Sequence, residues 1–459
     1  MSGGEAFGVP VKSWRLATLA GVGIGTAYAL SPLTVWFGVA MVLLVGSAVM
    51  GLDDRERRWI LTLLVAAIVL RLAAIGGLFL LTNHGQLPFG SFFGDEEYFI
   101  KRSIWLRNVA LGIPVHGADL IYAFDEYSAT SYLYVLAFIQ VLVGPSPYGA
   151  HLLGVAFYLT GSVILYRIAR PAFGRMPALV GFGLLLFLPS LFAWSISALK
   201  EPLFFLLTAS SLSLVLRVIR GTGAWRRLLA GTAVAAIAIA IETVRPAGGV
   251  LSIASLTCGV VFAALVRRPR LLIVSMAALP IVAGAVLAYP EVQLKAYSSV
   301  QAAARQHWGH VATPGYVYRL LDERFYPDRS EIADIEFRES AKFVARAIGK
   351  YLTVPLPWEV QSRPALAYVP EQIIWYILVA LLPAGVVFAC RRDPLTAGLL
   401  FAHALIAAVT VALISGNVGT LVRHRGLALP YLVWLSAVGV CGLISHATRF
   451  GRTAGSPSF

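Results

Sequence analysis

Run after run of apolar residues divides this chain: Arg15–Tyr28, Leu33–Met50, Trp59–Thr82, Tyr148–Tyr166, Pro177–Trp194, Pro202–Leu216, Leu228–Ile241, Ala247–Val266, Leu271–Tyr289, Glu371–Ala389, Leu395–Ser415 and Leu427–Ser445. No other feature limits the fold so strongly. A helix of roughly 20 apolar residues crosses a hydrocarbon layer of about 30 Å. Inside that layer every backbone N–H and C=O must be bonded within the segment. The expectation is an all-α, polytopic transmembrane protein with about 12 spans. Composition agrees: 58% of the residues are hydrophobic and 13% charged. Soluble domains run nearer ~45–50% and ~25%, so a water-soluble form would lack the polar side chains to cover itself.

The net charge of +14 is not spread as a nucleic-acid face would require. It collects in short clusters between apolar runs: Arg55, Arg57 and Arg58; Arg167, Arg170 and Arg175; Arg217, Arg220, Arg226 and Arg227; Arg267, Arg268 and Arg270; Arg391 and Arg392. Cytoplasmic loops carry this excess. With Lys12 and Arg15 inside, every cluster falls inside and two longer polar stretches, 83–130 and 290–370, fall outside. The apolar but short Ser131–Val143 is expected to be re-entrant or interfacial. The chain then divides into an N-terminal hairpin (1–58), a membrane module (59–289) holding the first outer loop, a second outer loop (290–370) and C-terminal helices with a tail (371–459). Within the second loop, apolar residues at helical spacing predict an amphipathic helix over Ser330–Tyr351, and the prolines of PLPWEVQSRP (Pro355–Pro364) forbid a regular helix after it. The cysteines, Cys258, Cys390 and Cys441, lie in or at the ends of apolar runs and indicate neither disulfides nor a thiolate metal site. No cleavable signal sequence is evident.

Several polar motifs stand out against this background. Gly94-Asp95-Glu96-Glu97-Tyr98 places three consecutive carboxylates in the first outer loop of an acid-poor protein. Such groups can take a proton from an acceptor or hold a divalent cation, and they can equally cap a helix start. Ser197-Ala198-Leu199-Lys200-Glu201-Pro202 sets a Lys–Glu pair at the outer mouth of two helices. Val244-Arg245-Pro246 and the stretch Asn417–Gly426, with Arg423, His424 and Arg425, put cations outside against the positive-inside trend. Guanidinium matches phosphate bidentately, although snorkelling to lipid headgroups explains the same placement. Arg71 is an intramembrane charge, costly and often functional. His307 and His310 of QHWGH lack an evident third ligand and read as structural. Gly21–Thr26 (GVGIGT) lies inside an apolar run, where close helix packing explains its glycines better than a nucleotide loop does.

The order of these motifs resembles the GT-C superfamily of membrane glycosyltransferases. The branch is the bacterial one similar to protein O-mannosyltransferases and aminoarabinose transferases. The resemblance rests on the acidic first-loop motif, SYLYVLAFIQVLVG, YRIARPAFGR, SALKEP, VRP, PLPWEVQSRP with PEQIIWYIL, and GNVGTLVRHRGLALP, and runs from about Phe93 to Val440. It implies an inverting transfer of a sugar from a polyprenyl-phosphate donor to an extracytoplasmic acceptor, at the outer face of a bacterial cytoplasmic membrane. Asp95, or the neighbouring Glu96, is then the base. Lys200, Arg245, Arg423 and Arg425 meet the donor phosphate, while Glu97, Tyr98, Glu201 and His424 support the acceptor or a metal. A divalent cation (Mg, Mn or Zn) on Asp95 and Glu201 is compatible with the family. A polysaccharide polymerase or ligase using the same donor, or a lipid-linked glycan flippase, is the alternative. The extra acid Glu97 and the helices before Trp59 depart from the family's pattern.

Overall fold

Caps and prolines decide where the apolar runs become helices. A computed structural model of the protein describes residues 5–6, 9–86, 92, 94–125, 130–146, 148–312, 337–359 and 368–454. Apart from an antiparallel pairing of Glu5–Ala6 with Val9–Pro10, the regular structure described is helical. Asp53, Asp393 and Asn417 each accept a backbone N–H of the first turn that follows, from Glu56 at 2.8 Å, Thr396 at 3.3 Å and Thr420 at 2.8 Å. A side-chain oxygen at this position satisfies one of the donors a helix start leaves open.

Among the described residues ten helices are long and apolar enough to cross a membrane: Pro32–Val49, Asp54–Leu81, Gly149–Phe173, Glu201–Arg220, Ala224–Val244, Gly248–Val266, Pro269–Leu287, Val369–Arg392, Pro394–Ile414 and Leu429–Thr448. Arg175–Phe187 and Pro189–Ser195 make an eleventh if counted as one span bent by 63°. Pro189 lacks the N–H that would continue the helix, so the run expected as Pro177–Trp194 breaks there. The first apolar run forms a 20-residue helix, Val11–Leu30, outside these ten. Lys12, Arg15 and three glycines dilute its apolarity, which lowers the expected dozen. A Cβ at Gly21, Gly23 or Gly25 would meet nothing within 4 Å, so close packing does not account for those glycines.

The chain forms two compact units, interleaved in sequence. The first comprises Met1–Val163, Ala193–Leu206 and Thr243–Arg245. The expected first outer loop folds there into Gly94–Ala110 and the short Gly117–Ala123, with the longer helix against Ser131–Val143. Phe99, Leu106, Tyr132, Leu133, Leu136 and Leu199 form their common core. Ser131–Val143 has 13 residues, about 20 Å of helix, too short to span, and stops at Gly144, whose φ of +80° suits only glycine. Buried Arg71 donates to Ser195 Oγ at 2.7 Å and to the Ala67 carbonyl at 3.1 Å, below the Tyr158 ring.

The second unit comprises Ile164–Phe192, Leu207–Glu242 and Pro246–Phe459. Its helices approach through glycine. A Cβ on Gly385 would lie 2.1 Å from the Leu435 carbonyl, and one on Gly398 2.5 Å from the Gly259 carbonyl. Small residues permit such backbone contact, which replaces the hydrophobic drive missing in lipid. Within the expected second outer loop, the described residues form two helices, Pro290–Ala312 and Phe337–Thr353, on either side of the undescribed residues 313–336. The amphipathic helix begins at Phe337, and positions 330–336 of its predicted span lie outside the described residues. Ser340, Phe343, Ala347 and Tyr351 are its buried stripe. His307 packs on Phe343 with its Nδ1 near the Leu413 carbonyl, the structural role expected; the His310 side chain lies outside the description. Of PLPWEVQSRP, Pro357–Glu359 forms a single 3-10 turn and residues 360–364 are undescribed.

Candidate active site

The three first-loop acids open the Gly94–Ala110 helix, where carboxylates favour the positive end of the dipole. Successive helical residues diverge by about 100°, so the three part company. Asp95 is exposed. Glu97 is half-exposed and pairs with Lys101 one turn on. Glu96 is fully buried. Its Oε1 accepts the Ala198 N–H at 2.7 Å, and its Oε2 accepts the Phe92 N–H at 2.9 Å and His151 Nε2 at 3.2 Å. A buried carboxylate is tolerable only when its lone pairs are met in this way. Tyr98 turns its ring to Arg102, whose guanidinium lies 4.7 Å from the ring centroid and donates to the phenol oxygen.

The same geometry fixes the SALKEP turn. Ala198 donates to Glu96 and accepts the Tyr132 hydroxyl proton at 3.1 Å. Glu201 is buried at the start of Glu201–Arg220, with Lys200 half-buried before it. Arg245, half-buried, lies 6.0 Å over the Phe204 ring, and the Thr130 hydroxyl donates to the carbonyl of Val244 next to it at 2.7 Å. Seven of the residues expected at the site therefore belong to one compact unit: Asp95, Glu96, Glu97, Tyr98, Lys200, Glu201 and Arg245. His151 is absent from the residues singled out in the sequence, and Tyr132 stands there only within SYLYVLAFIQVLVG. Their one legible signal is a polar ring in the first turn of an apolar helix. His151 is buried, its ring 4.1 Å from that of Phe92, and its Nδ1 has no hydrogen-bond partner among the described residues.

Gly154 lets this turn sit against the Gly149–Phe173 helix: a Cβ there would lie 2.5 Å from the Ser197 carbonyl and 3.3 Å from that of Ser195. Gly→Ala inside a helix ordinarily stabilises by about 0.5–1 kcal/mol. At Gly154 the sign is expected to reverse, because only backbone can give way. Gly154→Ala should lower the activity of this site about tenfold or more, on the view that a misplacement near 1 Å is costly, whereas Gly183→Ala, with nothing within 4 Å, should be silent. Denaturation midpoints and initial rates of the two variants check this, and an active, stabilised Gly154→Ala protein would refute it.

Arg423, His424 and Arg425 end the Val418–Arg425 helix of the second unit. Arg423 and His424 are half-buried. Arg425 is 3% exposed. It donates to Gln372 Oε1 at 2.7 Å and to the carbonyls of Tyr351 and Val354, with its guanidinium 4.6 Å from the Trp375 ring centroid. Burial pulls this guanidinium down to about 10, partly offset by the neighbouring Tyr351, and the same burial pushes the Tyr351 phenol above its usual range. Arg425 thus remains a cation at neutral pH and is spent largely on protein acceptors. Arg425, Glu371, Gln372 and Trp375 also line a small hollow with Val422 and Leu429.

Among the described residues no three His, Cys, Asp or Glu side chains come together as a metal site. Of the acids expected at the site, Glu96 accepts from three donors and Glu97 pairs with Lys101.

The family model for dolichyl-phosphate-mannose-protein mannosyltransferases matches residues 129–292. That segment contains Lys200, Glu201 and Arg245 and stops short of both Asp95 and Arg423. No curated protein and no solved structure matches the chain. With the ten apolar helices, the match supports an integral, multi-pass membrane glycosyltransferase of the GT-C type.

Proposed function

We propose that this chain transfers a sugar from a polyprenyl-phosphate donor to an acceptor on the outer side of the membrane, with inversion at the anomeric carbon. The observation that carries the assignment of roles is the split between Asp95 and Glu96. One is exposed on the first turn of its helix, and the other is buried under Phe92, Ala198 and His151. A general base must reach the proton it removes, which suits Asp95. Glu96 is a positioning residue: it ties the helix start to the SALKEP turn.

In the reaction the acceptor oxygen attacks the anomeric carbon from the face opposite the phosphate. Its proton passes to the Asp95 carboxylate. The bond from carbon to phosphate oxygen breaks, and the electron pair leaves with the prenyl phosphate. Fixed cations aimed at that growing charge lower the barrier. Lys200 and Arg245 take this role; Arg423, in the second unit, is a donor-phosphate residue on the family resemblance alone. Arg425 acts differently, as a structural cation. The cluster of arginine-bearing turns opposite the SALKEP end of Glu201–Arg220 supports an outer location for the chemistry under the positive-inside rule.

The test is extraction of the full chain in mild detergent, with mass spectrometry of co-purified lipids and transfer from a radiolabelled prenyl-phosphate sugar. The expected result is a retained prenyl phosphate and label moving to an endogenous acceptor in membranes. If neither appears in membranes where the protein is folded and abundant, the proposal is lost.

A further inference from the structure

The second unit holds, at the Arg220 end of the Glu201–Arg220 helix, a cavity of about 840 Å³ that the transfer chemistry does not use. It lies where the C-termini of Gly149–Phe173 and Glu201–Arg220 and the N-terminus of Ala224–Val244 form its wall, at one end of three spans. Four arginines line it, Arg167, Arg217, Arg220 and Arg226, together with apolar side chains that include Leu214 and Leu229, and no acid is among its lining residues. Arg220 bonds Asp393 at 2.6 and 2.5 Å. Arg217 and Arg226 are exposed.

Positive-inside bias alone explains arginines on a turn. It does not explain their convergence on a hollow with an apolar wall. The Arg267, Arg268 and Arg270 turn shows the plain case, with all three exposed on a tight connection between spans. Here, by contrast, the volume lies within the ~300–1,000 Å³ of small-molecule sites. Trp225 is 68% exposed and Leu228 57% exposed beside it, an aromatic and an aliphatic anchor of the kind found at the headgroup level. Guanidinium forks match phosphate oxygens, and the apolar wall matches the first carbons of a chain.

We propose that this cavity binds the phosphate headgroup of an anionic membrane lipid, with Arg217 and Arg226 on the phosphate and Leu214 and Leu229 against the chain. The test uses the full-length chain and native mass spectrometry with dioleoylphosphatidylglycerol, dioleoylphosphatidylcholine and inorganic phosphate as probes. Each arginine near an anionic headgroup adds a modest attraction, so wild type should retain the glycerol lipid about tenfold better than the choline lipid, and R217Q/R226Q should lose that preference. R217K/R226K keeps the charge that sets topology and loses the planar fork, and should retain an intermediate preference; it carries the test if the glutamine variant fails to insert. Excess inorganic phosphate should leave the lipid bound. Displacement by phosphate would mean a site for the free anion and would overturn the lipid assignment. So would an unchanged lipid preference in both double variants. Neither outcome bears on Asp95 or on sugar transfer.

Discussion

Asp95→Asn is expected to cut the transfer rate by about 10²–10⁴, the usual worth of a positioned general base, while the protein stays folded and inserted. The amide keeps the shape and the hydrogen-bonding reach of the carboxylate and loses its ability to accept a proton. Because Asp95 is exposed at the helix start, the amide is placed in water and not in the core, and the unfolding midpoint should move little. The loss should fall on kcat with donor KM nearly unchanged, since the base contributes in the transition state and not in ground-state binding. Glu96→Gln is the informative companion. One of its two oxygens becomes an NH₂ among three donors, so it should lose stability as well as activity. Initial rates with labelled donor, beside denaturation curves in detergent, separate the two. Normal turnover in Asp95→Asn removes the base assignment, and a loss confined to Glu96→Gln would move the base one residue along.

This pair shows how far the residues can be read unaided. Three acids in a row were legible as a cluster, and the helix that starts there was a stated alternative. Which acid faces solvent was not legible, because that depends on helical phase against a turn about a hundred residues away, where Ala198 supplies the N–H for Glu96. His151 was invisible for the same reason: a histidine among Leu and Gly of a span says nothing until its partner is known. The spans themselves were legible because lipid demands long apolar helices. The miscounts came where that demand weakens: at Pro189, which bends one run into two helices, and at Val11–Leu30, whose polar residues dilute it. The second outer stretch read as a loop because Pro290–Ala312 mixes charged, polar and small residues along a helix with little sustained hydropathy.

The second large effect is expected at Arg425, and it distinguishes a fastener from a phosphate grip. A helix leaves its last carbonyls without partners. At the end of Phe337–Thr353 these are taken by side chains of the same unit. Arg425 serves Tyr351 and Val354, Trp375 Nε1 serves Leu352 at 3.0 Å, and Tyr376 and Gln372 serve Thr353. A cation there also meets the negative end of the helix dipole. Arg425→Met keeps much of the side-chain volume and strips the donors, leaving two carbonyls and the Gln372 amide oxygen buried without their cation. Each buried neutral acceptor left unmet costs about 1–3 kcal/mol, a large share of the stability of any domain. The expected result is therefore a lower denaturation midpoint and early proteolytic cleavage around Phe337–Thr353, with Arg425→Lys between Met and wild type, because an ammonium lacks the fork. Donor added before unfolding should still stabilise the Met variant as it does wild type. Were Arg425 a direct phosphate ligand, the pattern would invert: an intact midpoint without donor, and loss of donor-dependent stabilisation. Arg423→Ala, measured in parallel, should show that second pattern, a raised donor KM on a fold of near-normal stability.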